Sequence, residues 1–170
     1  MSTSRKSERI LFLHGLESGP TGKKARYLKG NFPEISVPNL KPFPFALVTA
    51  IRAYHKGHPQ VVVASSMGAV ICTIMMFLSI VQCPVILLAP PFPTILNYFW
   101  GRHLSAGRGL ILVHGLHDGM SFWATSMKHT HKQLHQIVVN DDHALSSLLA
   151  NGSLLALISI ARTFRSRAER

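Results

Sequence analysis

A β-branched apolar run that breaks on two serines and continues as a helix-like apolar segment constrains this chain most. Residues 61–65 read Val-Val-Val-Ala-Ser, and the second apolar segment follows Ser66. A strand that turns abruptly into a helix brings two backbones close together, so the positions two before and two after the turn residue must be small. Ala64 and Gly68 meet this need. The pattern is that of a nucleophile elbow and makes Ser66 a candidate nucleophile, with a helix N-cap as the alternative.

Strand-like and helix-like segments alternate along the chain without internal repeats. Apolar runs typical of strands occur at 9–13, 35–38, 60–65, 84–89, 110–114 and 136–139. Segments with helical character follow them at 22–32, 45–58, 67–81, 122–131 and 143–165. This order predicts an α/β fold, a three-layer sandwich in which helices cover both faces of a mostly parallel six-stranded sheet. Pro38 places its run at a sheet edge, because proline cannot donate a hydrogen bond to the ladder.

The stretch from Gln60 to Tyr98 holds no charged residue and invites comparison with a membrane span. Serines, prolines and a glutamine interrupt it, and it switches between β-branched and helix-forming segments. A strand, a helix and a second strand, all buried on both faces, explain these interruptions better. We therefore predict no transmembrane segment.

The chain length of 170 residues predicts one domain with a sizeable core. We expect a disordered tail at residues 1–8, a single domain at 9–165 and a basic tail at 166–170. The polar N-terminus leads into an apolar run that is too short for a signal peptide. Cys72 and Cys83 lie in apolar runs without metal-ligand spacing, which indicates reduced core residues in a cytoplasmic protein.

A net charge of +11 favours anionic partners through long-range attraction. The basic clusters are not interleaved with the aromatic residues that a single-strand nucleic-acid platform uses for stacking. We therefore expect a solvated basic face and no specific nucleic-acid partner. The apolar segment 154–160 precedes an arginine-rich tail. This arrangement fits peripheral contact with an anionic membrane and, equally well, an amphipathic helix that covers the sheet.

The chemically suggestive residues follow predicted strands, at the sheet edge where active groups gather in parallel sheets. Ser66, Asp118 and His143 follow the third, fifth and sixth of these strands. A serine hydroxyl becomes a strong nucleophile when an imidazole accepts its proton, and a carboxylate must orient that imidazole. The chain order of serine, aspartate and histidine is that of the α/β-hydrolases.

The whole chain resembles the α/β-hydrolases, and specifically the small bacterial cytosolic esterases of the YqiA type. The motifs that carry the resemblance are Ile10–Ser18, Ala64–Gly68, Val113–Asp118 and Asn140–His143. The resemblance implies Ser66 as nucleophile, His143 as general base and Asp118 as its orienting acid. It also implies an oxyanion hole formed by the backbone amides of Leu16 and Met67. No large lid is inserted after Ala89, so a compact core is expected.

Two residues of this set have competing interpretations. Asp142 is a rival for the role of Asp118, although its adjacency to His143 makes the required side-chain geometry awkward. His143 also fits a surface position that caps the last helix beside Asp141 and Asp142. Only the place of His143 in the ordered set favours the catalytic interpretation.

Further candidate sites are weaker. The histidines His129, His131 and His135 match no strong zinc pattern, so we predict no metal site. Glu17 is expected to form a salt bridge rather than act in catalysis, with Lys23 or Lys24 as its partner. Four aromatic residues could line an acyl pocket or merely anchor a loop: Phe92, Tyr98, Phe99 and Trp100.

The leading hypothesis is a cytoplasmic serine hydrolase, a carboxylesterase or thioesterase. It would cleave a small acyl ester through an acyl-enzyme intermediate and need no cofactor. The alternative is a non-catalytic binding module that uses its basic face and apolar C-terminal helix on an anionic membrane or protein partner. This alternative predicts a Ser66 that cannot meet His143. The sequence leaves the acyl group and the oligomeric state open.

Overall fold

A parallel β-sheet forms the middle layer of the structure, a computed structural model that describes residues 9–91, 109–119 and 134–168. Its five strands are β1 (Ile10–Leu13), β2 (Val61–Ser65), β3 (Val85–Leu88), β4 (Leu110–Gly115) and β5 (Leu134–Val139). They lie in the order β1-β2-β3-β4-β5, and each neighbouring pair is parallel. The predicted α/β class with a parallel sheet is confirmed.

The described residues form five strands rather than the predicted six. The run at 35–38 makes a single parallel bridge, between Ser36 and Leu11 on the outer side of β1. Ser36 donates its N–H to the carbonyl of Ile10 at 2.8 Å, and its own carbonyl accepts from Phe12 at 2.9 Å. Pro38 has no N–H with which to continue the ladder, so the pairing stops there.

The bridge at Ser36 also shows where the chain reverses its direction across the sheet. From β1 the chain moves outward to Ser36 and then returns to β2, on the opposite side of β1. In parallel sheets, active groups gather at such a reversal, beyond the carboxyl ends of the two adjacent strands, here β1 and β2. Leu13 ends β1 and Ser65 ends β2, so Ser66 lies at this position.

Helices cover both faces of the sheet. They are α1 (Lys23–Asn31), α2 (Ala46–Gly57), α3 (Met67–Phe77), α4 (Ser147–Ala150) and α5 (Ser153–Ala168), with a 3-10 turn at Phe43–Phe45 before α2. Leu11 and Leu13 pack with α2 and α3 in one core, whereas Ile10 and Phe12 pack with α1, α4 and α5 in the other. Alternate strand residues point to opposite faces, which produces the three predicted layers.

The apolar segments that invited comparison with a membrane span are buried in the protein interior. Val61–Ser65 and Val85–Leu88 are buried strands, and the inward face of α3 is buried as well. Within the described ranges, no helix has both the length and the apolarity to cross a bilayer. Leu154, Leu157 and Ile158 of α5 are also buried, in the core shared with α1. The helix therefore covers the sheet.

Both cysteines lie in the interior. Cys72 and Cys83 form no disulfide and are buried in the core formed with α2 and α3. Burial raises the pKa of the Cys72 thiol because the thiolate would lose its hydration. The Cys72 side chain therefore presents little reactive thiolate to solvent.

Candidate active site

Ser66 occupies the sharp turn that joins β2 to α3. Its backbone has φ of 54° and ψ of −124°, a conformation that non-glycine residues rarely adopt. The turn is fixed on both sides, since the Ser66 N–H donates to Leu88 O at 2.9 Å and Ser66 O accepts from Ala69 at 2.8 Å. Strain of this kind costs about 1–3 kcal/mol and clusters at functional sites. The half-buried serine thus stands at the N-terminus of α3.

The two small residues of the elbow, Gly68 and Ala64, are under different steric constraints. A Cβ at Gly68 would lie 2.2 Å from the carbonyl oxygen of Leu13, far inside contact distance. Only glycine lets α3 approach β1 this closely. The methyl group of Ala64, in contrast, is fully buried in the core beside α2 and α3. Alanine is therefore accommodated two residues before the serine, although many elbows have glycine there.

Ser66, His143 and Asp118 form one continuous hydrogen-bonded set. His143 Nε2 lies 2.9 Å from Ser66 Oγ, and His143 Nδ1 lies 2.8 Å from Asp118 Oδ2. A carboxylate only accepts, so Nδ1 carries the proton and donates to Asp118. Nε2 is then free to accept the Ser66 hydroxyl proton. Three side chains that are distant in the sequence thus have the connectivity of a triad.

Burial differs along this set in a way that suits the chemistry. The Asp118 side chain is fully buried, whereas the His143 side chain keeps 33% of its surface exposed. A buried carboxylate against an imidazole holds the ring orientation and stabilises a positive charge on it. Ser66 is half-buried and so keeps part of its surface exposed.

Asp142, the rival acid, has a different contact. Its Oδ1 accepts the N–H of Ala144 at 2.8 Å, so the carboxylate supports the backbone around His143. Asp141 Oδ2 accepts the N–H of Ser147, the first residue of α4, and the N-cap position of that helix is held by Ser146, not His143. The structure therefore brings Asp118, and neither neighbouring aspartate, to the imidazole.

The loops after β4 and β5 are fastened to each other. His117 donates its backbone N–H to Asp141 O at 3.0 Å, and its ring Nε2 contacts Asn140 Oδ1 at 2.8 Å. A Cβ at Gly115 would lie 2.4 Å from Asp142 O, so the two loops approach as closely as backbone permits. This contact sets the distance between Asp118 and His143.

Hydrogen bonds to Asp141 further order the histidine loop. They hold the pKa of its carboxyl below the ordinary 3.8, chiefly through the side chain and then the N–H of Ser147. Asp141 Oδ1 accepts the N–H of Asp142 at 2.8 Å as well. The ionised carboxylate thus connects the loop to α4.

The two predicted oxyanion donors border Ser66. Met67 begins α3, so its amide belongs to the first helical turn, where N–H groups lack partners within the helix. Leu16 follows Gly15, which lies against the serine, because a Cβ on Gly15 would lie 3.4 Å from Ser66 Oγ. Their role as an oxyanion hole stays a prediction.

Two buried histidines lie near the carboxyl ends of strands. His14 accepts the N–H of Leu40 at Nε2 and lies 2.8 Å from Gly15 O at Nδ1, so it fastens the loop after β1. His114, at the end of β4, is fully buried, and neither ring nitrogen has a hydrogen-bond partner in the described part of the chain. Burial lowers the pKa of His114 to about 4, against an opposing effect of the Asp118 charge. Sequence reasoning did not single out His114.

Several predicted groups are only partly described. His129 and His131 lie outside the described residues, as do the helix predicted at 122–131 and the aromatic set, Phe92, Tyr98, Phe99 and Trp100. The ring of His135 stacks on Phe164 of α5, with centroids 5.0 Å apart. Across residues 9–91, 109–119 and 134–168, no three His, Cys, Asp or Glu side chains gather as a metal site would require.

Comparison with known proteins relates this architecture to hydrolases. The fold resembles a predicted CIB-like hydrolase from Thermoplasma acidophilum, with a TM-score of 0.66 and 14% identity over 96% of this chain and 90% of that one. The Pyrococcus furiosus esterase Pf2001 gives a TM-score of 0.67 and 12% identity, over 95% and 83% of the two chains. An α/β serine hydrolase homologue from Coxiella burnetii gives 0.62 and 15%, over 88% and 83%.

Similarity at the level of sequence is much weaker. No family model matches the chain, and no curated protein matches it significantly. The structural likeness, which spans nearly the whole chain, shows that the fold is that of the α/β-hydrolases.

Proposed function

We propose that this α/β-hydrolase-fold chain is a serine hydrolase, a carboxylesterase or thioesterase that acts on a small acyl ester in the cytoplasm. The observation that carries the proposal is the unbroken contact from Ser66 Oγ to His143 Nε2 and from His143 Nδ1 to Asp118. An isolated surface histidine would not be expected to contact a strained serine with one ring nitrogen and a buried carboxylate with the other. The hydrolase neighbours support the same reading of the site.

In the first step, Ser66 Oγ attacks the carbonyl carbon of the ester while His143 Nε2 accepts the hydroxyl proton. The resulting imidazolium is stabilised by the Asp118 carboxylate at 2.8 Å. The carbonyl oxygen gains negative charge in the tetrahedral intermediate. We assign its stabilisation to the amides of Leu16 and Met67, assisted by the N-terminal end of α3.

In the second step, the intermediate collapses and the bond to the leaving alcohol or thiol breaks. The leaving group takes the proton from His143, and the acyl group remains on Ser66 as an ester. Water then attacks this ester, with His143 again accepting a proton. Collapse of the second intermediate releases the carboxylic acid and restores the serine. The cycle needs only the groups of the chain, the ester and water.

The binding-module alternative is disfavoured by two observations. It predicted that Ser66 could not meet His143, yet the two side chains lie 2.9 Å apart. It also needs apolar surface on the C-terminal helix, but Leu154, Leu157 and Ile158 pack into the core and leave Ile160 as the exposed large aliphatic residue of that segment. The basic surface remains available to anionic partners under either function.

Covalent labelling tests the proposal directly. A fluorophosphonate probe should label the wild-type chain, and mass spectrometry of the peptides should place the label on Ser66. Ser66→Ala should abolish labelling and hydrolysis of short-chain ester substrates while the chain stays folded. Ser65→Ala is the matched control, because the Ser65 side chain is buried at the end of β2.

The outcomes separate the two functions. Specific labelling of Ser66 together with loss of hydrolysis in Ser66→Ala would support an activated nucleophile. A folded wild-type chain that neither reacts with the probe nor hydrolyses esters would refute the enzyme and favour the binding module. Full hydrolysis by Ser66→Ala would exclude this elbow as the nucleophile.

A further inference from the structure

Lys24 connects helix α1 to the loop that carries His143. Its ammonium group donates a hydrogen bond to the carbonyl oxygen of Ala144, the residue directly after His143. The two residues are 120 positions apart in the sequence. Other described hydrogen bonds of the loop involve its own residues, the start of α4, or His117 and Asp118 after β4. Lys24 therefore adds support from α1, a helix near the other end of the chain.

The surroundings of Lys24 indicate more than a casual surface contact. Burial lowers the pKa of its ammonium group, and the charges of Asp141 and Asp142 oppose that shift. A lysine in solvent would lose less hydration. One carbonyl of the histidine loop binds this partly desolvated cation, and the charges of two carboxylates in the same loop favour it.

The carbonyl that Lys24 binds belongs to a strained part of the loop. Leu145 follows it with φ of 50°, a region that β-carbon-bearing residues rarely enter, and its side chain is fully buried. The orientation of the peptide between Ala144 and Leu145 is thus disfavoured locally. A hydrogen bond from a cation to its oxygen is among the stronger kinds and offsets part of this strain.

We propose that Lys24 is a positioning residue that clamps the Ala144 carbonyl and so holds His143 within hydrogen-bond reach of Ser66. The proposal rests on the serine-hydrolase function argued above. The Lys24 side chain need not touch the ester, because it acts through the backbone next to His143. Loss of the clamp should lower kcat about 10- to 100-fold, as small misplacements of a reacting group do, and leave KM within about twofold.

Chemical rescue can test the ammonium group itself. Lys24→Cys removes it, and alkylation with bromoethylamine restores a side chain of almost the same length that ends in an ammonium. Alkylation with iodoacetamide gives a similar thioether without the charge. The chain suits this experiment because Cys72 and Cys83 are buried and should react slowly.

Two controls separate positioning from general effects. Lys23→Cys, given the same two treatments, changes a neighbouring lysine on α1 that is exposed. Hydrogen–deuterium exchange over the peptide 140–148 reads the loop without reference to catalysis. The amides of Ala144 and Ser147 are hydrogen-bonded to aspartates there, so a loosened loop should exchange faster by about tenfold.

The expected result is a fall in kcat and faster loop exchange in Lys24→Cys, both reversed by bromoethylamine and not by iodoacetamide, with Lys23→Cys unchanged. Unaltered kcat, or rescue by both reagents alike, would overturn the proposal. Unaltered exchange would overturn the clamp regardless of activity. A wild-type chain without any hydrolysis would refute the proposed function, and the exchange data would still decide whether Lys24 holds the loop.

Discussion

The elbow that carries Ser66 and the loop that carries His143 reach the same site by different means. The elbow is one continuous strand–turn–helix unit, and its geometry depends on close backbone packing at Gly68. The histidine loop is held by hydrogen bonds to side chains of Asp141, Asp142 and Lys24. The elbow therefore depends on steric fit, and the histidine loop depends on electrostatic interactions.

This difference predicts different sensitivities. Steric packing in the elbow responds to the volume of a side chain and hardly to pH. The histidine loop and Asp118 depend on ionised groups. Substitutions that remove a charge, and a low pH, should therefore affect them most. The variants below test this contrast, from the largest expected effect to the smallest.

Asp118→Asn should have the largest effect on turnover. An amide cannot stabilise the imidazolium and favours the wrong tautomer of His143, so kcat should fall by about 10³- to 10⁴-fold. Steady-state ester hydrolysis measures this. Asp142→Asn is the matched control, because its amide oxygen can still accept from Ala144, as Asp142 Oδ1 does. Equal losses in the two variants would contradict the assignment of Asp118.

Gly68→Ala should destabilise the elbow most. The added methyl would lie 2.2 Å from Leu13 O, and backbone cannot yield as a flexible side chain does. We expect a loss of about 3 kcal/mol in unfolding free energy, measured by urea titration. Ala64→Gly adds no volume and should cost only about 1 kcal/mol. Similar losses in both variants would refute the steric account of the elbow.

His114 should make the stability of the protein depend on pH in the acidic range. Burial lowers the pKa of His114 from 6.5 to about 4, because a protonated ring in the interior would lack hydration. As the pH drops below about 6.5, the unfolded chain binds the proton first, so stability is lost progressively and by roughly 3 kcal/mol once the pH is below about 4. His114→Leu should flatten the urea-derived stability profile over this interval. An unchanged profile would show that another group causes the acid sensitivity.

Asp141→Ala should have the smallest effect. It removes the acceptor for the N–H groups of Asp142 and Ser147, which should cost about 1 kcal/mol. Because the pKa of Asp141 is lowered by folding, its contribution is present above the ordinary value of 3.8 and is lost as the pH falls through the lower, folded-state value. The difference between variant and wild type should therefore shrink in strong acid. A difference that persists there would assign the effect to something other than the charge.

Local patterns in the sequence sufficed for the alternating layers and for the elbow. The β-branched run before Ser66 and the small residues around it form one short continuous segment, so the strand–turn–helix pattern can be read directly, although the contact that requires Gly68 is with Leu13 of β1. The order of Ser66, Asp118 and His143 predicted a shared edge because parallel strands end on the same side. The coarse fold and the membership of the candidate triad follow from such signals.

Tertiary structure decided the features that depend on distant partners. The run at 35–38 pairs with the outer side of β1 through a single bridge instead of forming a strand. The close approach of Gly115 to Asp142 O brings the loop that carries Asp118 to His143. The contact of Lys24 with Ala144 spans 120 positions and leaves no periodic trace in the sequence. Such contacts depend on which strands become neighbours, and that choice is made by the burial of the whole sheet rather than by any local pattern.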